Sequence, residues 1–195
     1  MSPGNTVRVQ MMTQESNIRW AYLESLDSSM VELPYQGDRI VMQVLLPRER
    51  HGLALKHLEE KLYTWKHNVQ ADFDEKSKKT TVNIQLPKFK VENAIPLREH
   101  LISLGIQDMF SAGLADFSGI DDSKQLHVSQ ALQKAFIEVN EEGTEASVAT
   151  ALVAESKGMP APSVLFIADH PFIFYIRNTF TGMLILQGRV SNPGQ

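Results

Sequence analysis

The chain has 195 residues, of which 43% are hydrophobic and 22% are charged, and its formal net charge is −4. This composition is typical of a globular protein with a sizeable core, and the absence of a basic block argues against nucleic-acid or membrane binding by charge. There is no cysteine, which excludes disulfides, thiolate metal sites and a cysteine nucleophile. The first five residues are polar, unlike the continuous apolar segment of a signal peptide.

The first part of the chain predicts strands. Alternating apolar residues predict a half-buried strand over residues 6–12, and residues 18–26 predict a second strand. Two apolar runs, 30–35 and 40–46, are separated by a turn that contains Gly37, which predicts a hairpin. Because the second run is apolar on both faces, we expect it to be buried.

Helices and strands follow in alternation. Apolar residues spaced by three and four predict an amphipathic helix over residues 55–69; they are Leu55, Leu58, Leu62, Trp65 and Val69. Residues 80–91 predict a strand that bends at Pro87, where the apolar alternation changes phase. Residues 96–104 predict a short helix that Gly105 ends.

The last part of the chain is again rich in strands. Residues 136–140, 165–176 and 183–190 carry the apolar side chains expected of strands. Many strands and few helices predict an α+β fold with largely antiparallel sheets.

A long loop separates the first two of these strands. Residues 141–163 include twelve glycine, alanine, serine or threonine residues, and the loop ends in a segment with two prolines. Loops longer than about 12–15 residues are usually functional or disordered. From Thr144 onward the even positions are uncharged, while Glu145, Glu155 and Lys157 all occupy odd positions. Such a segment is able to lie as a strand with one face against a core, although a flexible surface loop remains the alternative.

An ordered set of short motifs resembles the serpin family over nearly the whole chain. Residues 136–150, FIEVNEEGTEASVAT, resemble the serpin hinge, and residues 166–172, FIADHPF, resemble its C-terminal signature. The upstream motifs also match in order; they are VQMM at 9–12, VELPY at 31–35, LPKF at 86–89, LGI at 104–106 and FSG at 117–119.

The resemblance implies a suicide-substrate inhibitor of serine proteases, in which the cleaved loop inserts as a new strand into the central sheet. It implies a partial serpin domain over residues 1–195, with the reactive-centre loop at 141–163. Counting along the loop as in the family places the reactive bond at Lys157–Gly158, within the bracket 156–158. A lysine there suits a trypsin-like serine protease, which has an acidic primary pocket. The family is also typically extracellular, with the cytoplasm as the alternative for a chain without a signal peptide.

The resemblance also assigns a hinge and residues that support it. The hinge residues are Glu141, Glu142, Gly143, Thr144, Glu145, Ala146, Ser147, Val148, Ala149 and Thr150. Glycine at 143 supplies backbone freedom, and the outward parity of Glu145 resembles inhibitory members of the family. The family pairs a lysine at position 88 with the glutamate at position 141. Gln133 stands where the family often has a histidine that hydrogen-bonds in the central sheet.

The fold expected from this resemblance is incomplete. The family's N-terminal helices and early central-sheet strands have no counterpart here, and they include the strand beside which the loop inserts. We therefore expect this chain by itself to be inactive as an inhibitor. A non-inhibitory or strand-donating fragment, self-associating through exposed sheet edges, is the alternative.

Enzyme, cofactor and metal functions are not predicted. The sequence lacks G-x-S-x-G, P-loop, H-E-x-x-H and G-x-G-x-x-G motifs, so no catalytic residue is assigned. The spacing of the six histidines predicts no metal site; they are His51, His57, His67, His100, His127 and His170.

Overall fold

The structure is a computed structural model that describes residues 6–64, 68–122, 125–141 and 163–194. Its strands are β1 (Met11–Leu23), β2 (Ser28–Pro34), β3 (Ile40–Pro47), β4 (Lys78–Pro87), β5 (Phe89–Pro96), β6 (Leu132–Val139), β7 (Val164–Ile167), β8 (Phe172–Asn178) and β9 (Leu184–Val190). Its helices are α1 (Ala54–Thr64), α2 (Val69–Lys76), α3 (Arg98–Ser103) and a short 3₁₀ helix, Asp108–Phe110.

The predicted hairpin is confirmed, since β2 and β3 pair as antiparallel neighbours. Its turn carries positive φ angles at Gly37 and Asp38, which glycine and aspartate tolerate better than most residues. Burial of β3 is also confirmed, because every residue from Val41 to Pro47 is buried. The two strands predicted over residues 6–26 are in fact one long strand, β1.

The single helix predicted over residues 55–69 is wrong, because the chain forms two helices there. Asn68 is the N-cap of α2, and its side-chain oxygen accepts a hydrogen bond from the Gln70 N–H at 3.1 Å. An asparagine in this position starts a new helix by satisfying a free N–H group. Trp65 lies outside the described residues.

The single strand predicted over residues 80–91, with a bend at Pro87, is in fact two strands in different sheets. The backbone ends β4 at Pro87 and begins β5 at Phe89. A seven-stranded sheet has the order β7-β4-β1-β2-β3-β8-β9, and β5 and β6 form a two-stranded sheet. In the large sheet the pairs are antiparallel except for β4 and β7, which are parallel.

The region predicted as one strand over residues 165–176 contains two, β7 and β8. The intervening segment includes Pro171, which has no N–H to donate to a strand ladder. The strand predicted over residues 136–140 begins earlier, at Leu132. The short helix predicted before Gly105 is confirmed as α3, and Gly105 has a positive φ angle of 92°.

The large sheet has a buried core on each face. Helices α1 and α2 cover one face through Leu58 and Phe73, which pack with Met30, Leu45 and Ile173. On strand β8 the neighbouring positions point to the opposite face. There, Phe172 and Phe174 lie against Phe89, with ring centroids 5.7 and 5.6 Å apart.

The chain divides into two compact units. The first contains residues 1–89 and 139–195, and therefore the seven-stranded sheet; the second contains residues 90–138, with α3 and most of β5 and β6. Among the described residues, no helix is long and apolar enough to cross a membrane.

Candidate functional site

The candidate site is the segment predicted as a reactive-centre loop, residues 141–163, together with the described residues at its two ends. Glu141 and Ser163 are described, and residues 142–162 lie outside the described residues. The predicted reactive bond, Lys157–Gly158, is among the latter. So are the hinge residues Glu142, Gly143, Thr144, Glu145, Ala146, Ser147, Val148, Ala149 and Thr150.

An ion pair stands at the beginning of the loop. The Lys88 Nζ lies 2.6 Å from a carboxylate oxygen of Glu141, just after the end of β6. The side chains are 35% and 58% exposed, so water screens the pair. The Lys88 hydrogen bond, followed by the Glu141 backbone N–H, lowers the pKa of the Glu141 carboxyl below its ordinary value.

The break between β4 and β5 positions the lysine. Lys88 is the residue between Pro87 and Phe89, and its backbone N–H donates to the Gln10 carbonyl at 2.8 Å. The following residue, Phe89, is buried against Phe172 and Phe174. The backbone of Lys88 is therefore held on both sides, while its ammonium group reaches the start of the loop.

The end of the loop is held by a strand of the large sheet. Strand β7 pairs in parallel with β4, with Val164 opposite Val82 and Ile167 opposite Gln85. Phe166 is 2% exposed, and the Ala168 N–H donates to the Gln85 carbonyl at 2.8 Å. The chain is thus fixed to the sheet immediately after residue 163.

A polar network follows β7, within the signature-like segment at 166–172. The His170 Nε2–H donates to the Pro47 carbonyl at 2.7 Å, and its Nδ1 lies 2.8 Å from an Asp169 carboxylate oxygen. The other Asp169 oxygen accepts a hydrogen bond from Arg50 at 2.8 Å. These contacts link the segment after β7 to the end of β3. The sequence did not indicate that Pro47 and Arg50 bind this segment, because each is more than 100 positions away from its partner along the chain.

The remaining predicted support residue, Gln133, is exposed on β6 in the two-stranded sheet. The structure therefore brings together Lys88 and Glu141 among the described site residues. The described part of the site contains ion pairs, backbone bonds and packing that hold a loop at both ends.

Comparisons with known proteins agree with the motif pattern. The family model described as "Serpin (serine protease inhibitor)" matches residues 1–193. The chain is 41% identical to human leukocyte elastase inhibitor over 192 residues, which are 95% of this chain and 49% of that protein. It is 38% identical to mouse leukocyte elastase inhibitor A over 200 residues, covering 99% of this chain and 51% of that protein.

A solved structure gives the same result for the fold. A serpin from the trematode Schistosoma haematobium superposes with a TM-score of 0.78 at 29% identity, over 98% of this chain and 49% of that chain. The chain belongs to the serpin family, and its fold is serpin-like. It spans about half the length of the relatives it matches.

Proposed function

We propose that the chain carries the reactive-centre loop of a serine protease inhibitor that acts as a suicide substrate. Residues 141–163 form this loop within a partial serpin domain, and the observation that supports it best is the Lys88–Glu141 ion pair at the loop's beginning. Family membership and the relatives named leukocyte elastase inhibitor support the inhibitory class. The names of these relatives give no compartment, so the extracellular location, with the cytoplasm as its alternative, stays a prediction.

The proposed target is a trypsin-like serine protease. Lys157 and Gly158 form the reactive bond, because an acidic primary pocket accepts a lysine before the cleaved bond. After cleavage, the uncharged even positions from Thr144 face the core of the sheet, and Glu145 faces outward. Gln133, on β6, takes the supporting place of the family's histidine because an amide also donates and accepts hydrogen bonds.

We further propose that this chain by itself is a substrate and not an inhibitor. In the described residues β6 is paired with β5 alone, so an inserting strand would find one neighbour instead of two. A strand held on one edge forms fewer hydrogen bonds and buries less apolar surface than a strand held on both. Insertion is then too weakly driven to trap a protease.

A second candidate function is an interaction module that associates through exposed sheet edges. In the described residues, β6 has an unpaired edge, and its side chains Leu132 and Phe136 are 63% and 56% exposed. An open edge with exposed apolar side chains is a template for pairing with another chain. The partner is a second copy of this chain or another serpin chain.

Incubation with trypsin tests the proposed function. We expect a cut after Lys157, identified by the masses of the fragments, without a denaturant-resistant complex on a gel. A longer chain that supplies the family's missing strands is expected to form that complex. The variant Lys157→Gln should lose the cut, whereas Lys134→Gln, at an exposed position on β6, should keep it.

Two outcomes would contradict these proposals. A stable covalent adduct between trypsin and this chain would overturn the argument from the missing neighbour of β6. Cleavage after Lys157 in the longer chain without any complex would overturn the inhibitory function. Sedimentation of the uncut chain tests the second candidate, which requires assemblies larger than one chain.

A further inference from the structure

A cluster of two histidines and a glutamate lies in the first unit. Glu49 and His51 follow β3, and His57 is on α1. One ligand atom from each lies within 4.8 Å of those of the other two, and all three residues are exposed. The spacing of the histidines alone gave no signal, because the third member of the cluster is a carboxylate.

The histidine rings and the carboxylate already face each other. The Glu49 carboxylate lies 2.6 Å from the His51 Nε2, and the His51 and His57 rings meet edge-on with centroids 5.7 Å apart. Ligands about 2.0–2.1 Å from a tetrahedral zinc ion stand about 3.4 Å from one another. The Glu49 and His51 atoms therefore need to separate by about 0.8 Å, and the other pairs need to approach by roughly 1.4 Å at most; rotations of exposed side chains supply both changes.

The backbone beneath the cluster is ordered by hydrogen bonds and by packing. The Ala54 N–H donates to the His51 carbonyl at 3.0 Å, and the His57 N–H donates to the Leu53 carbonyl at 2.9 Å. On the other side of α1, Leu55 and Leu58 are buried in the core. His57 is thus carried on a fixed helix, and His51 is held at the start of that helix.

The neighbouring cations are engaged with other carboxylates. Arg50 pairs with Asp169 at 2.8 Å, and Arg48 lies 4.0 Å from Asp27. Neither arginine is paired with Glu49, whose carboxylate faces His51. The cluster consequently presents one negative charge and two imidazoles, which is the His₂Glu ligand set of zinc sites that retain a water molecule.

We propose that Glu49, His51 and His57 bind one Zn²⁺ ion, with water completing the coordination. The metal binds the His51 Nε2 of the Nδ1–H tautomer, so the single proton of the neutral ring moves from Nε2 to Nδ1 by exchange with water. The long 3.3 Å bond from the Leu53 N–H to that Nδ1 is lost in exchange. Two imidazoles favour a transition-metal ion over Mg²⁺ or Ca²⁺, which prefer oxygen ligands.

Calorimetric titration of the chelator-treated protein with zinc chloride tests this site. We expect one Zn²⁺ per chain and no binding of Mg²⁺. The substitutions Glu49→Gln and His57→Gln should each weaken zinc binding by about tenfold or more, since even the loss of an outer partner costs 10–100-fold. The matched control is His100→Gln, at an exposed histidine of α3, which should leave the affinity unchanged.

Thermal unfolding provides a second measurement. A ligand that binds the folded state raises the unfolding midpoint, so zinc should raise it for the unmodified chain and for His100→Gln but not for His57→Gln. Circular dichroism without metal verifies that each variant is folded. Equal zinc affinity in His57→Gln and His100→Gln, no zinc binding at all, or binding seen only together with dimers in sedimentation would each overturn the proposal.

Discussion

The two compact units differ in how far their apolar side chains are buried. Among the described residues of the first unit, the four largest fully buried side chains are phenylalanines: Phe73, Phe166, Phe172 and Phe174. In the second unit, the buried hydrophobic residues among those described are Phe110 and Ala115, while Leu104, Leu114 and Ile120 are 77%, 67% and 78% exposed. Since burial of apolar surface contributes about 25 cal/mol per Å², the first unit carries most of the stability. The second unit supplies the strand that leads into the loop.

Truncation of one phenylalanine in each unit tests this difference most strongly. Phe174→Ala removes a buried ring that packs on Phe89, and we expect it to lower the free energy of unfolding by about 3–5 kcal/mol. Phe136→Ala in the second unit should lower it by less than about 1 kcal/mol, because more than half of that side chain is already in water. Urea unfolding followed by circular dichroism measures both. Equal losses of unfolding free energy in the two variants would contradict the inferred difference in stability between the units.

A methyl group added beside the same ring tests how closely the first unit is packed. A Cβ atom at Gly188 would lie 2.6 Å from the Phe174 ring, so Gly188→Ala should cost about 1–3 kcal/mol of unfolding free energy. Gly119→Ala is the matched control in the second unit, where an added Cβ meets nothing within 4 Å.

A double variant identifies the cause of that loss. With Phe174→Leu the ring is gone, so adding Gly188→Ala should cost less than it does in the unmodified chain. Urea unfolding of the two single variants and the double variant gives the coupling between the positions. Strictly additive losses would show that the contact with Phe174 is not responsible.

The elements of the large sheet could be predicted where the sequence pattern is local. The hairpin of β2 and β3 follows from two apolar runs around Gly37. The change of phase at Pro87 predicted a bend within one strand, at the place where the structure ends β4 and begins β5. The division into α1 and α2 was missed because the apolar spacing continues across Asn68, whose role as an N-cap depends on a hydrogen bond. The parallel pairing of β7 with β4 joins residues about 80 positions apart, and no local pattern encodes it.

The candidate site was predictable only through the family resemblance. Nothing in the local sequence of Lys88 indicates a partner at Glu141, since the two residues are brought together by the ends of different strands. The contacts of His170 with Pro47 and of Asp169 with Arg50 likewise depend on the folded sheet. The cluster of Glu49, His51 and His57 needed the position of α1 relative to the end of β3.

Removal of the ion pair at the start of the loop should have the smallest effect on stability. Lys88 and Glu141 belong to the first unit but lie at its surface, so Lys88→Met should lower the free energy of unfolding only modestly at neutral pH. Lys79→Met is the matched control at an exposed lysine of β4, and it should have less effect still.

The pH dependence of the stability loss in Lys88→Met tests whether the loss comes from the Glu141 carboxylate. Because Lys88 lowers the pKa of Glu141, the pair's contribution is present above the ordinary pKa of a glutamate and is lost as the pH falls through the lowered value. The difference between the unmodified chain and Lys88→Met, measured by urea unfolding across acid pH, should therefore vanish once Glu141 is protonated. If the stability difference between the two proteins persists in acid, Lys88 stabilises the first unit by packing of its methylene chain. The charge of Glu141 then makes no contribution to stability.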